Sequence, residues 1–392
     1  MRITWVTRSF LDYRIPVYEA INSLTNNNLT VIYFKDVVPE RCQIKLTSIL
    51  GDRAIGLTGE FRLSGKKSQP LSGIKKNGFR LPVQPKLIKT IKNTSPKVVL
   101  SDGFFQWTYA ALWLHMFYKT PHIMLYEGTE HTERNAGWLR LTYRKLASKF
   151  VDVIQCNGSL SHTFLNKVLK IKKSKIALGN MTSDMDVLKF NCDNFSHEQR
   201  LKFIQDLNLQ ENVFLFVGRL VPLKGIIHLI KSWGSLDLPD SCLLIVGDGP
   251  EREHLQSYIT TENIKNVRFE GTIDYDDIYK YFNAADIFVI PTLQDNWSLV
   301  VPEAMSCGLP IISSKYNGCW PELVKPENGW VFDPLDTNYF NQTLELAYNN
   351  KEKWKEMGKA SRQIVEDFSP NKIASQIFNS CNQLIAESNY ES

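Results

Sequence analysis

Short apolar runs without polar alternation recur along this chain, and they restrict its fold more than any other feature. ITWVT (3–7), LTVIYF (29–34), KVVLS (97–101) and HIMLY (122–126) come first, followed by VDVIQCN (151–157) and SKIALGN (174–180). The pattern then restarts with VFLFVG (213–218), CLLIVGDG (242–249), NVRFEG (266–271), DIFVIPT (286–292) and LPIISS (309–314). Strands that lack alternation are buried on both faces, as in parallel sheets. Helical patterns such as Ile226 to Trp233 and Asp277 to Ala285 sit between them. Strand–helix alternation of this kind predicts doubly wound α/β sheets, and two series predict two Rossmann-like domains. We expect an N-terminal domain over 1–190, a C-terminal domain over 191–369 and a terminal helix over 370–392. The polar stretch Lys189 to Asn212 reads as the linker. Pro370 fits the first turn of the last helix, with Ser369 as its cap.

Two facing sheets put a cleft beyond the carboxyl ends of their strands, where ligands of open α/β sheets bind. The loops that follow the strands are therefore the ones to inspect. In VGRLVPLKG (217–225), Gly218 ends a strand, Arg219 and Lys224 follow, and Gly225 precedes a helix. Two cations beside a helix N-terminus suit a diphosphate. In DNWSLVVPEAMSCGLPII (295–312), Ser298 can cap a helix starting at Leu299, and Gly308 can close it. Asp295 lies in the loop before that helix. Glu303 interrupts an otherwise apolar stretch and suits a pair of ribose hydroxyls.

Together these segments resemble the signature of glycosyltransferase family 4, the retaining GT-B enzymes of glycosyl transferases group 1. VGDGPERE (246–253) and VRFEGTID (267–274) fit the same pattern, and the resemblance is close from Phe214 to Val331. It implies GT-B architecture: two facing Rossmann-like domains, with the last helix crossing back onto the N-terminal one. It also implies that Arg219 and Lys224, after Gly218, neutralise the donor diphosphate and that Glu303 holds the ribose. Asp295, standing where the family has Glu, would hold the donor sugar with backbone amides from Asn296, Trp297, Ser298 and Leu299. The base would rest near Glu270 and Gly271. After HIMLY, Glu127 occupies the cleft end of the strand, and Glu127 or His131 would orient the acceptor or touch the sugar. The first loop, TRSFLDYRIP, has Arg8 and Arg14 in place of the glycines common in the family. GNMTSD (179–184) resembles an interdomain turn, with Asn180 and Asp184 structural.

The expected activity is retaining transfer from a UDP- or GDP-sugar to a glycan or lipid-linked acceptor, in polysaccharide or glycolipid assembly. No cofactor or metal is expected. Asp184-Met185-Asp186 and Asp274-Tyr275-Asp276 have metal-binding spacing, but two carboxylates alone make a poor site, and both read as structural. A phosphorylase would need a longer chain and a cofactor lysine. A GT-B epimerase and a catalytically silent nucleotide-sugar-binding subunit are the other readings of the same motifs.

Charge is split unevenly. Residues 1–190 carry 29 Lys+Arg against 13 Asp+Glu, and the rest carry 17 against 28. With no nucleic-acid module in sight, the basic half points to an anionic membrane surface, with Lys66, Lys67, Lys75, Lys76 and Arg80 as its densest cluster. No apolar run reaches the ~18 residues of a spanning segment. The N-terminus lacks the apolar core of a leader. Seven scattered cysteines suit reduced thiols in the cytoplasm. The expected location is cytoplasmic, with peripheral contact at the inner face of the membrane.

Overall fold

The computed structural model describes residues 1–63, 81–179 and 181–390. The cluster Lys66, Lys67, Lys75, Lys76 and Arg80 lies outside the described residues, as does Asn180. The chain forms two compact units. The first holds Met1–Asn157, Ser161–Met181 and the chain from Pro370 onward; the second holds Gly158–Leu160 and Thr182–Ser369.

The first unit is built on seven parallel strands: β1 (Ile3–Val6), β2 (Leu29–Phe34), β3 (Ala54–Leu57), β6 (Val98–Asp102), β7 (His122–Tyr126), β8 (Val153–Cys156) and β9 (Ile176–Leu178). Two short antiparallel strands, β4 (Phe61–Leu63) and β5 (Leu81–Val83), make a separate pair. The large sheet runs β3-β2-β1-β6-β7-β8-β9. β1, β2 and β7 are buried along their whole length, which is why their sequences show no alternation. The helix Pro370–Tyr390 packs on Ile15–Leu24, placing Ile373, Ala374, Ile377 and Cys381 in one core with Val17, Tyr18 and Ile21.

The second unit has six parallel strands: β10 (Asn212–Val217), β11 (Ser241–Val246), β12 (Val267–Gly271), β13 (Ile287–Ile290), β14 (Ile311–Ser314) and β15 (Gly329–Phe332). Their order is β12-β11-β10-β13-β14-β15. The winding reverses where β10 pairs with β13, Phe214 opposite Ile287. Loops leaving the carboxyl ends of these two strands flank the crevice that such a reversal opens. Those loops are Gly218–Gly225 and Pro291–Leu299.

Two expectations need correction. The stretch 189–212 is not an open linker: it forms most of the helix Met185–Asn194 and all of His197–Asp206. Its polar composition hides a capping box, in which the Ser196 hydroxyl accepts from the Gln199 amide at 3.1 Å and the Gln199 side chain accepts from the Ser196 amide at 2.8 Å. Both helices belong to the second unit. Asn283 donates to the Cys192 carbonyl at 3.1 Å, and Arg200 pairs with Asp286 at 3.0 Å. The division therefore falls after Met181 rather than at 190. Second, Ser298 does not cap a helix at Leu299. The helix begins at Val300, with Leu299 at its cap position and no side-chain capping bond. Gly308 does follow its end in the left-handed region, at φ +85°.

Candidate functional site

In the second unit, β10, β11 and β12 end in glycines because their ends touch. The Gly247 amide donates to the Gly271 carbonyl at 2.7 Å. A Cβ on Gly247 would lie 1.9 Å from the Gly218 carbonyl oxygen. One on Gly249 would lie 2.4 Å from that of Leu220. The loop after Gly218 then makes a turn over Pro222–Lys224 and reaches Gly225, whose φ of +67° favours glycine. A side chain there would also meet the Pro291 carbonyl at 2.2 Å. Leu293 donates its amide to the Leu223 carbonyl at 2.8 Å, and the Thr292 hydroxyl donates to the same oxygen at 3.0 Å. The loop carrying Lys224 is thus clamped onto the exit of β13.

That clamp brings Lys224 to Asp295. The Lys224 Nζ lies 2.5 Å from Asp295 Oδ2, which also accepts the Ser298 hydroxyl at 2.6 Å. Asp295 Oδ1 accepts the Trp297 amide at 3.2 Å. The aspartate backbone is held as well: its carbonyl accepts the Gly318 amide at 3.0 Å. Buried Asn317 accepts the Ser298 amide through Oδ1 at 3.3 Å. Both Asp295 oxygens are therefore engaged by the protein itself. Arg219 is exposed and forms no ion pair among the described residues. Lys224, Asp295, Trp297 and Ser298 are in one network; Arg219 stands on the same loop, outside it.

The remaining predicted residues surround this network. Asn296 has a buried Oδ1 without a hydrogen-bond partner among the described residues. The Trp297 indole is buried, 6.0 Å from the Phe368 ring. Leu299 is half-buried at the cap position. Glu303 is half-buried, with the Tyr275 hydroxyl 3.5 Å from Oε1. Burial pushes its carboxyl up to about 8; the Tyr275 hydroxyl opposes the rise and the nearby Asp184 adds to it. Glu270 turns to Arg268 and lies 3.4 Å from the Tyr281 hydroxyl. Gly271 has φ +75°. Sequence reading missed Asn317 and Gly318, which brace Asp295 from a third loop. Asn-Gly is a turn signal, and it could have marked them.

Glu127 directly follows β7 in the first unit, with its carbonyl accepting the Ser161 hydroxyl at 2.9 Å. Around it, Arg14 is buried and lies 5.2 Å over the Trp5 ring, while Asp102 accepts from the Trp5 indole at 3.1 Å. Burial works against the Arg14 charge, but Asp102 and Glu127 hold it protonated. Arg8 is committed to Glu60, at 2.7 and 2.8 Å. His131 lends its carbonyl to Arg134 at 2.5 Å.

The loop after Glu127 is anchored by Arg144. This buried side chain donates to Glu133 Oε1 at 2.6 Å, and its guanidinium lies 5.3 to 5.9 Å from the rings of Phe104, Phe105, Tyr126 and Phe164. Removing one partner of a buried ion pair costs about 3–5 kcal/mol. We expect Arg144→Leu to lower the unfolding midpoint in urea by a loss of that order, and Arg144→Leu with Glu133→Leu to recover part of it. An Arg144→Leu midpoint equal to that of the wild type would show that the pair does not anchor the loop.

Comparison with known proteins adds the class. Residues 197–364 match the family described as glycosyl transferases group 1. A sulfoquinovosyl transferase of Arabidopsis thaliana is 26% identical over 351 residues, covering 84% of this chain and 67% of that protein. A GDP-mannose-dependent mannosyltransferase of Corynebacterium glutamicum is 34% identical over 158 residues, covering 38% of this chain and 41% of that one. Alignments to the curated relatives thus span from 37% to 67% of their lengths. HepE of Anabaena, solved in complex with UDP, has a TM-score of 0.75 at 17% identity, covering 98% of this chain and 100% of that one. The two parallel-sheet units and these relatives define a glycosyltransferase of GT-B fold.

Proposed function

We propose that the chain transfers a sugar from a nucleoside diphosphate donor to a glycan or lipid-linked acceptor, with retention at the anomeric carbon and without a metal ion. The carrying observation is the Lys224–Asp295–Ser298 network at the strand-order reversal of the second sheet, with exposed Arg219 on the same loop as Lys224. Arg219 and Lys224 neutralise the diphosphate as the glycosidic bond breaks. Charge developing on a leaving group is where fixed cations stabilise most. The departing phosphate oxygen takes the acceptor hydroxyl proton on the same face, so no carboxylate nucleophile is needed. Asp295 serves chiefly to position Lys224, since both its oxygens already have partners. Glu303 receives the ribose hydroxyls, and Asn296 offers its unpartnered carbonyl oxygen to the donor. Glu127, beside Arg14, is the residue we assign to the acceptor side. Both UDP- and GDP-sugars fit this reading: HepE was solved with UDP, and the corynebacterial relative is GDP-mannose-dependent. Cell-surface polysaccharide or glycolipid synthesis at the cytoplasmic face is the setting we propose.

The reading is tested by a panel of nucleotide sugars in a thermal-shift assay. A true donor at a hundredfold excess over its Kd should stabilise the protein by about 2.7 kcal/mol. With that donor and an acceptor, release of the nucleoside diphosphate should persist in excess chelator. Loss of release that magnesium or manganese restores would overturn the metal-free mechanism; stabilisation without any release would overturn transfer.

A further inference from the structure

The helix Trp138–Ala147, which follows the Glu127 loop, carries apolar side chains on both sides, and Leu141, Tyr143 and Ala147 pack inward on the core. Its inward side holds buried Arg144 on Glu133, and the Tyr143 hydroxyl donates to the Phe104 carbonyl at 3.1 Å. Its outward side carries large apolar side chains. Trp138 is 73% exposed, Leu139 66% and Leu146 53%. Lys145 is exposed on the same side, two turns from Trp138, and Lys149 is exposed in the short turn Ser148–Phe150 that follows the helix. Because the inward contacts fix the helix, this stripe is a finished surface rather than core left open.

Charge identifies what the stripe meets. From Arg134 to Lys149 there are five Lys and Arg and no Asp or Glu, and all of the five but the inward Arg144 are exposed. Glu133, just before, is turned onto Arg144, and Asp152, just after, accepts from the His122 amide at 2.8 Å and pairs with His115 at 3.3 Å. The helix Thr108–Tyr118, which packs on the turn Ser148–Phe150, has an exposed Phe117 of its own, at 63%. No helix among the described residues is long and apolar enough to cross a membrane. An exposed indole and leucines ringed by lysines suit the headgroup boundary: the rings sit at the headgroup level, the leucines go deeper, and the lysine stems reach back to phosphates.

We infer that the outward stripe of the Trp138–Ala147 helix docks the protein on an anionic lipid surface. The inference rests on the proposed transfer to a lipid-linked acceptor only for its purpose; the docking stands on the surface itself. It adds a helix beside the Glu127 loop to the membrane contact expected from the cluster at 66–80.

Flotation with vesicles tests it without any sugar transfer. The full chain should float with vesicles of equal parts phosphatidylglycerol and phosphatidylcholine, and not with phosphatidylcholine alone. Trp138→Ala with Leu139→Ala should lower the bound fraction roughly tenfold, since two large apolar groups leave the interface. Lys145→Glu with Lys149→Glu should lower it roughly tenfold at low salt and change it little at about 1 M salt, where the screening length is about 3 Å. All four positions are exposed, so the unfolding midpoint should stay at the wild-type value. The inference is overturned if the wild type fails to float, if it binds neutral lipid equally, or if the first pair floats unchanged. It is equally overturned if the stripe proves to be the contact in a concentration-dependent dimer that the Trp138→Ala and Leu139→Ala pair dissociates. A chain that floats yet transfers no sugar to any acceptor would remove the transferase reading and leave the docking intact.

Discussion

Replacing Lys224 by Ala should cost on the order of 10²–10³ in kcat, the range found when one fixed donor to a developing anion is removed. Two losses combine. The diphosphate loses a cation as it departs, and Asp295 loses the partner held at 2.5 Å. The second loss makes the two positions dependent on each other. Asp295→Asn should also be severely impaired, because Lys224 is then free to leave its place. The double variant should be little worse than Lys224→Ala alone, since neighbours in one network do not add. Initial rates at saturating donor separate this from simple binding: an interaction made mainly in the transition state lowers kcat and kcat/KM together. Lys224→Ala within twofold of wild type would reject the assignment, as would full additivity of the pair.

The same network predicts the effect of a longer acid at position 295. Asp295→Glu pushes the carboxylate outward by roughly one C–C bond of 1.5 Å. Its present oxygens meet Lys224 and Ser298 on one side and the Trp297 amide on the other, and its backbone is tied to Gly318. A longer side chain cannot keep all three bonds from that fixed backbone, so Asp295→Glu should be slower than wild type rather than faster. The partners observed for this carboxylate attach it to Lys224 and Ser298.

Strand-rich segments were legible because burial on both faces leaves a local mark: β1, β2, β10 and β11 are continuous apolar runs. The site loops were legible because strand ends, glycines and cations fall within a few residues of one another in VGRLVPLKG. What the sequence hid depends on long-range contact. Asp295 is braced by Asn317 and Gly318, some twenty residues on, and no local pattern ties them together. Ser298 looked like a cap because Ser often caps, yet a carboxylate three residues before it offers the hydroxyl a charged acceptor, which makes the stronger bond. The 189–212 stretch was misread for the opposite reason. Its capping box was visible as Ser196-x-x-Gln199, but polar composition outweighed it. The Trp138–Ala147 helix escaped notice because apolar spacing alone does not tell which side faces inward; that is decided by Arg144 finding Glu133 and four aromatic rings.

Glu303 gives the second large effect, and it is visible in pH. Its carboxyl titrates at about 8 in the ligand-free protein, chiefly because of burial. An unfolded glutamate titrates near 4.3. From about pH 4.3 to 8 the folded state therefore holds a proton that the unfolded state has lost. Stability contributed by this group is fully present below the lower value, declines as pH rises through that window, and is gone above 8. Glu303→Gln, neutral throughout, should flatten this decline and raise stability at pH 8 by on the order of a few kcal/mol, read from urea midpoints across the range. Nucleotide binding should move the other way. A carboxylate accepts ribose hydroxyls more strongly than the protonated acid, so binding draws the proton off. Affinity should then rise with pH up to about 8, by at most tenfold per unit, with one proton released on binding at pH 7. Calorimetry in two buffers of different ionisation enthalpy measures that proton. In Glu303→Gln the release should vanish and the affinity should fall, while kcat at saturating donor should drop far less than in Lys224→Ala. A variant that binds nucleotide as tightly as wild type at pH 8 would show that Glu303 does not meet the ribose. A wild-type protein whose affinity is flat from pH 6 to 8 would show that its carboxyl is not the group being discharged.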